Sequence, residues 1–122
     1  MPRPIHFEIP AENPERSAEF YSRTFGWKIT KWDGPMDYWV ILTGPKTEPG
    51  IDGGLMRRQD PAQPCVNTIG VENLDATVAT VLANGGSVAL PKMPVPGVGW
   101  LAYCKDPEGY IFGLMQNDPS AK

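Results

Sequence analysis

The sequence predicts an α+β fold: two tandem βαβββ modules forming a curved mixed sheet cup, with the helices on its outer face. Three observations predict it. The chain nearly repeats itself sixty residues apart, without a gap: Ile9, Glu12 and Asn13 fall on Ile69, Glu72 and Asn73, and Gly26, Ile51 and Gly53 on Gly86, Ile111 and Gly113. A repeat at fixed spacing constrains the architecture before any single element is assigned. Each half also reads as strand, helix and three further strands. Finally, 122 residues make one domain, and neither half alone would bury much of a core, so the halves should pack together or be completed by a second chain.

The first strand is read over 4–9, where Ile5, Phe7 and Ile9 alternate with His6 and Glu8. Asn13-Pro14-Glu15 then supplies a cap, a proline suited to a first helical turn and an early acid. The helix should run to about Thr24, with Ser17, Phe20, Tyr21 and Phe25 on one side, and stop at Gly26. Strands are expected at Trp27–Trp32, Tyr38–Thr43 and Ile51–Arg57, separated by turn-rich Asp33-Gly34-Pro35 and Gly44–Gly50.

Arg58–Pro64 holds two prolines and no apolar period, and reads as the linker between module one (4–57) and module two (65–116). In module two, Val66–Val71 is a strand, and Asn73 caps a helix with Leu74, Val78, Val81 and Leu82 on one stripe. Gly85-Gly86 ends it. Ser87–Leu90, Gly99–Lys105 and Tyr110–Gln116 complete the strands, the last two joined by the turn Asp106-Pro107-Glu108-Gly109. The tail Asn117–Lys122 reads as frayed.

Composition narrows the function classes. The net charge is −3 with no basic run, which argues against nucleic acid. No apolar stretch approaches the roughly 20 residues of a membrane span. The opening Met-Pro-Arg-Pro does not read as a signal peptide, so a cytoplasmic protein is expected. Cys65 and Cys104 have no metal spacing and read as free thiols in a reducing compartment.

Two motifs carry a resemblance. The helix from Asn13 to Trp27 (Asn-Pro-Glu-Arg-Ser-Ala-Glu-Phe-Tyr-Ser-Arg-Thr-Phe-Gly-Trp) and the Asp-Pro-Glu-Gly-Tyr turn, in tandem βαβββ modules, resemble the vicinal oxygen chelate superfamily. That superfamily includes glyoxalase I, extradiol dioxygenases, fosfomycin-resistance thiol transferases and bleomycin-resistance proteins. The resemblance covers about Ile5 to Met115. The Gly53–Met56 segment is most similar to a glyoxalase-like group within it. In metal-dependent members, the resemblance implies, a divalent ion is held by His or Glu on the first and last strands of each module. Those positions fall here on His6, Gly53, Val66 and Gly113, and only His6 offers a donor. Were the last strand displaced by one residue, Asp52 or Gly54 would replace Gly53, but alternation is expected to turn Asp52 toward the helix. A catalytic site needs about three protein ligands. No metal or other cofactor is therefore expected, and metal-dependent glyoxalase or dioxygenase chemistry stands as the alternative.

Other chemistry has to come from the cup. His6 and Glu8 share a strand face and could do acid–base work, or His6 is a relic of a ligand position hydrogen-bonded to Glu8 or the backbone. If Tyr103 packs on the helix side, Trp100 and Cys104 face the cup with Tyr38 and Leu55, a wall suited to a flat or apolar ligand. The same side chains could instead fill a core or a subunit interface. Cys104 would be a nucleophile only if His6 activated it. Arg57-Arg58 could steer an anion or simply end a strand in water. The expected partners are a small organic ligand and a second copy of the chain, since two small modules expose sheet edges. Three functions compete: a metal-independent binding module, an isomerase, epimerase or lyase using His6 and Glu8, and an interaction subunit whose cup is filled by its own side chains.

Overall fold

The computed structural model describes residues 2–122. The chain has an α+β fold of two βαβββ modules, in the order β1 (Arg3–Ala11), α1 (Pro14–Phe25), β2 (Lys28–Lys31), β3 (Tyr38–Leu42), β4 (Asp52–Arg57), β5 (Val66–Gly70), α2 (Leu74–Ala83), β6 (Ser87–Val95), β7 (Gly99–Lys105) and β8 (Ile111–Asn117). Two compact units result: His6–Cys65, and the N-terminal residues up to Ile5 together with Val66–Lys122. No helix is long and apolar enough to cross a membrane among the described residues.

In the first unit the strands lie in the order β2-β3-β4-β1, with β1 parallel to β4 and the other neighbours antiparallel. The β1–β4 crossover is parallel because α1 lies between them in sequence and packs on one sheet face. Helix α1 starts where the sequence says: Asn13 Oδ1 accepts from the Arg16 amide, and Pro14 takes the first turn. Gly26 ends it with φ 74°, a left-handed value that suits glycine. The core under α1 is Ala11, Trp39, Ile41 and Leu55, joined by Phe7, Ile9, Ala18, Trp27 and Ile29. Phe20 and Phe25, read on one side of the helix, are 57% and 59% exposed. The smaller Ala18 makes the contact with the sheet instead. The segment expected as a linker is a hydrogen-bonded turn: Arg58 N–H donates to the Ala11 carbonyl, and Gln63 N–H to that of Asp60.

In the second unit the order is β5-β8-β7-β6, with β5 parallel to β8. Asn73 caps α2 by accepting from the Ala76 amide, and Gln116 Oε1 takes the Leu74 amide, so two of the helix's unpaired donors are satisfied by side chains. The core is Leu74, Ala102, Cys104 and Leu114, with Ile69, Val71, Val78, Val81, Trp100 and Phe112 around it.

Two elements differ from expectation. Strand β6 runs to Val95, through Pro91 and Pro94, beyond the expected end at Leu90. It is an edge strand with register shifts, the setting in which a missing N–H is tolerated. The tail is fastened, not frayed. Asp118 N–H donates to the Val98 carbonyl, Gly97 N–H to that of Ala121, and Ala121 is 4% exposed.

Candidate functional site

Register decides which side chains meet. In the first unit His6 lies opposite Asp52, Phe7 opposite Gly53 and Glu8 opposite Gly54. Strand β3 adds Tyr38 opposite Met56 and Val40 opposite Gly54. Phe7, Leu55, Trp39 and Ile41 belong to the core under α1. The opposite face therefore carries His6, Glu8, Tyr38, Val40, Asp52, Gly54 and Met56, because residues opposite one another on neighbouring strands share a face and alternate residues change it.

On that face the Tyr38 hydroxyl and His6 Nε2 are joined by a hydrogen bond of 2.8 Å. Gly54 makes it possible: a side chain there would run into the Tyr38 hydroxyl and ring. The Trp32 and Tyr38 ring centroids lie 6.1 Å apart with their planes at 79°, a T-shaped contact. Asp52 Oδ1 accepts from the Thr43 amide at 2.8 Å and from the Thr43 hydroxyl at 3.3 Å.

Electrostatics sets the protonation states. Burial pushes the His6 imidazole below its ordinary range, against a smaller upward pull from the Asp52 carboxylate. Burial, followed by the charge of Glu8, pushes the Tyr38 phenol well above its usual range. Near neutral pH the site thus holds a neutral imidazole beside a protonated phenol. With its proton on Nδ1, the imidazole leaves Nε2 to accept from the Tyr38 O–H.

No three His, Cys, Asp or Glu side chains gather to hold a metal ion among the described residues. His6 Nε2 is engaged by Tyr38, and Asp52 by Thr43.

Several expectations are corrected. Leu55 is fully buried under α1 and does not share the His6 face. The glycine beside His6 and Glu8 is Gly54, not Gly53, and Asp52 turns toward His6 and away from the helix. Gly53 lies under Phe7 instead. Trp100 and Cys104 belong to the core under α2, and the Cys104 thiol is raised by burial, so it is no activated nucleophile. Trp100 Nε1–H donates to Asp118 Oδ2 at 3.0 Å, and Asp118 is held below the usual carboxylate range by the Ser120 hydroxyl and then by Trp100.

The face of the second sheet away from α2 carries Thr68, Tyr103 and Gly113, with Tyr103 and Thr68 both beside Gly113. Val66, on the same strand, is 7% exposed. Arg57 and Arg58 pair with Asp37 at 3.4 Å and Glu12 at 3.6 Å. Sequence reasoning missed the Tyr38–Gly54 contact and the placing of Thr68 and Tyr103 on either side of Gly113. The signal for the first was present, since two consecutive glycines inside a strand mark close approach of another group.

Residues 3–114 match the family model described as the Glyoxalase/Bleomycin resistance protein/Dioxygenase superfamily. The chain belongs to this superfamily. Among curated members, it is 27% identical to a protein named probable lactoylglutathione lyase from Vibrio cholerae, over 94% of this chain and 91% of that one. It is 30% identical to a lactoylglutathione lyase of Arabidopsis thaliana over 95% of this chain, but spans only 44% of that protein's length. Among solved structures, methylmalonyl-CoA epimerase from Mycobacterium tuberculosis superposes with a TM-score of 0.73 at 13% identity, covering 95% of this chain and 88% of the epimerase. The Streptomyces coelicolor epimerase bound to 2-nitronate-propionyl-CoA gives 0.70 at 14%, covering 98% and 97%. At these identities the likeness shows a shared fold.

Proposed function

We propose that this chain binds a small organic ligand, aromatic or amphiphilic, on the His6 face of its first module, without a metal. The observation that carries the reading is the His6–Tyr38 hydrogen bond above Gly54. A polar pair rests there on a glycine floor, beside the Trp32 ring and with Val40 and Met56 on the same sheet face. Such a mix of apolar wall and few polar groups suits a small organic molecule.

A second reading has an observation of its own. His6 is held neutral, and the Glu8 charge acts on Tyr38. Neutral base, protonated phenol and carboxylate on one face are the groups that an isomerase, epimerase or lyase working by proton transfer requires. The names of the relatives bring lactoylglutathione lyase and methylmalonyl-CoA epimerase to the list of reactions to assay.

Thermal-shift titration separates these readings. The chelator-stripped protein is titrated with Zn²⁺, Ni²⁺, Mn²⁺ and Fe²⁺, then with a panel of small organics. A ligand that binds only the folded state adds about 2.7 kcal/mol at 100 times its Kd. Under the binder reading an organic ligand raises the midpoint, and His6→Ala weakens the effect without abolishing it. Under the enzyme reading His6→Ala abolishes turnover while binding persists. A metal shift that His6→Ala abolishes sinks the metal-free reading. We further propose a homodimer, to be checked by sedimentation at micromolar concentration, where a monomer would refute it.

A further inference from the structure

The half-buried imidazole of His6 has as its partner the protein's own phenol. Tyr38 is the first residue of β3 and follows the turn-rich stretch 32–37, so its side chain stands at the end of the element. Its ring and hydroxyl lie over Gly54, in space that any other residue at 54 would fill. Trp32 packs against the ring in a T-shaped contact. Glycine floor, indole and imidazole together make a seat for one hydroxylated ring. Burial and the nearby Glu8 carboxylate keep the occupant in its neutral form.

We propose that the His6 site takes a neutral hydroxy-aromatic ligand for which Tyr38 is the built-in stand-in: the ligand's O–H replaces that of Tyr38 at His6 Nε2, and the Tyr38 ring swings off Gly54. The inference rests on the His6 face being the ligand site. It adds a chemical class, a neutral phenol, and a closing device, the tyrosine itself. With the imidazole proton on Nδ1, Nε2 is an acceptor, and an aromatic ether of the same shape offers it no proton. The class follows from this and from the charge of Glu8, since a phenolate would be repelled where a phenol is not.

The test uses 4-ethylphenol, 4-ethylanisole and an acidic nitrophenol that is ionised at the working pH of 8. His6 is the only histidine, so its ring signals in an NMR titration report this site alone. In the Tyr38→Ala variant, 4-ethylphenol should bind about tenfold more tightly than 4-ethylanisole, the discrimination of one hydrogen bond. The nitrophenol should bind no better than the ether. The wild type should show the same order with weaker affinity, because the ligand must displace Tyr38, and its His6 signals should move to the positions seen in the variant complex.

Equal binding of phenol and ether in both proteins overturns the proposal. So does phenol binding by the variant with no movement of His6 in the wild type up to the solubility limit, which would make Tyr38 a permanent plug. If Tyr38→Ala does not fold, the wild-type titration decides, with Tyr38→Phe as the variant that keeps the ring and removes the competing O–H. Other organics that move His6, with no preference for phenol over ether, overturn the class and leave the site. If nothing moves His6, the site reading itself fails.

Discussion

A methyl group at Gly54 would evict Tyr38, and the cost can be worked from the geometry. The added carbon runs into the Tyr38 hydroxyl and ring, so the side chain must pivot away. The 2.8 Å bond to His6 is then lost, at about 1 kcal/mol net. Forcing volume into a buried position adds about 1–3 kcal/mol. The stiffer unfolded chain that alanine brings returns about 0.4–1 kcal/mol. Gly54→Ala should therefore destabilise by about 1–3.5 kcal/mol. In a Tyr38→Ala background the methyl meets no ring, and the same substitution should cost nothing or stabilise slightly. The coupling energy should be about 2 kcal/mol or more, well beyond the additivity error of independent sites. Urea denaturation of the four proteins, followed by far-UV circular dichroism at constant m, measures it. Gly53→Ala is the control. Its methyl would lie 2.6 Å from the Phe7 carbonyl oxygen and ring, so it stays costly whatever stands at 38. If Gly54→Ala costs as much without Tyr38 as with it, the tyrosine does not occupy the space above the glycine. The account of the site then fails with it.

Four further outcomes are expected. The buried Thr68 Oγ1 has no hydrogen-bond partner among the described residues, so Thr68→Val should be neutral or stabilise by about 1 kcal/mol; a clear fall in the urea midpoint would reveal a partner. The His6 pKa is lowered by folding, so the unfolded chain takes up a proton first: the stability His6 contributes is complete above about pH 6.5 and is lost as pH falls through the lowered folded pKa. An NMR titration midpoint above that of a model imidazole would contradict this, and His6→Gln should flatten the stability profile in that window. Removing residues 118–122 should shift Trp100 emission to the red and lower the urea midpoint, since the tail carries the Trp100 acceptor and buries Ala121; unchanged emission would mean a dispensable tail. Native protein should react with a thiol reagent at exposed Cys65 and only on unfolding at buried Cys104, which two labelled thiols in the native state would disprove.

The elements were legible because each is written locally: caps at Asn13 and Asn73, a left-handed stop at Gly26, alternation in β1. The face each strand presents was not, and the reason is one of parity. The ungapped sixty-residue repeat is right for the first strand of each module, where Ile9 and Ile69 both pack under a helix. It is one residue out by the last strand. Gly54 stands opposite Glu8 and Gly113 opposite Thr68, so the true equivalents are fifty-nine apart. On the strand between, Val40 opposite Gly54 answers to Tyr103 opposite Gly113, sixty-three apart. Both departures from sixty are odd. An odd slip turns every side chain of a strand to the other face. That single error carried Trp100, Cys104 and Gly53 onto the site and took Tyr103 and Asp52 off it. Leu55 went with Gly53: two residues apart on one strand they share a face, and with Asp52 paired to His6 both fall on the helix side. Loop lengths between the strands of a repeat are what drift, so the faces have to be read from pairing to the one strand whose sides are known. Here that strand is β1. It assigns the site to His6, Tyr38 and Gly54 because those residues pair, directly or through β4, with the polar side of β1.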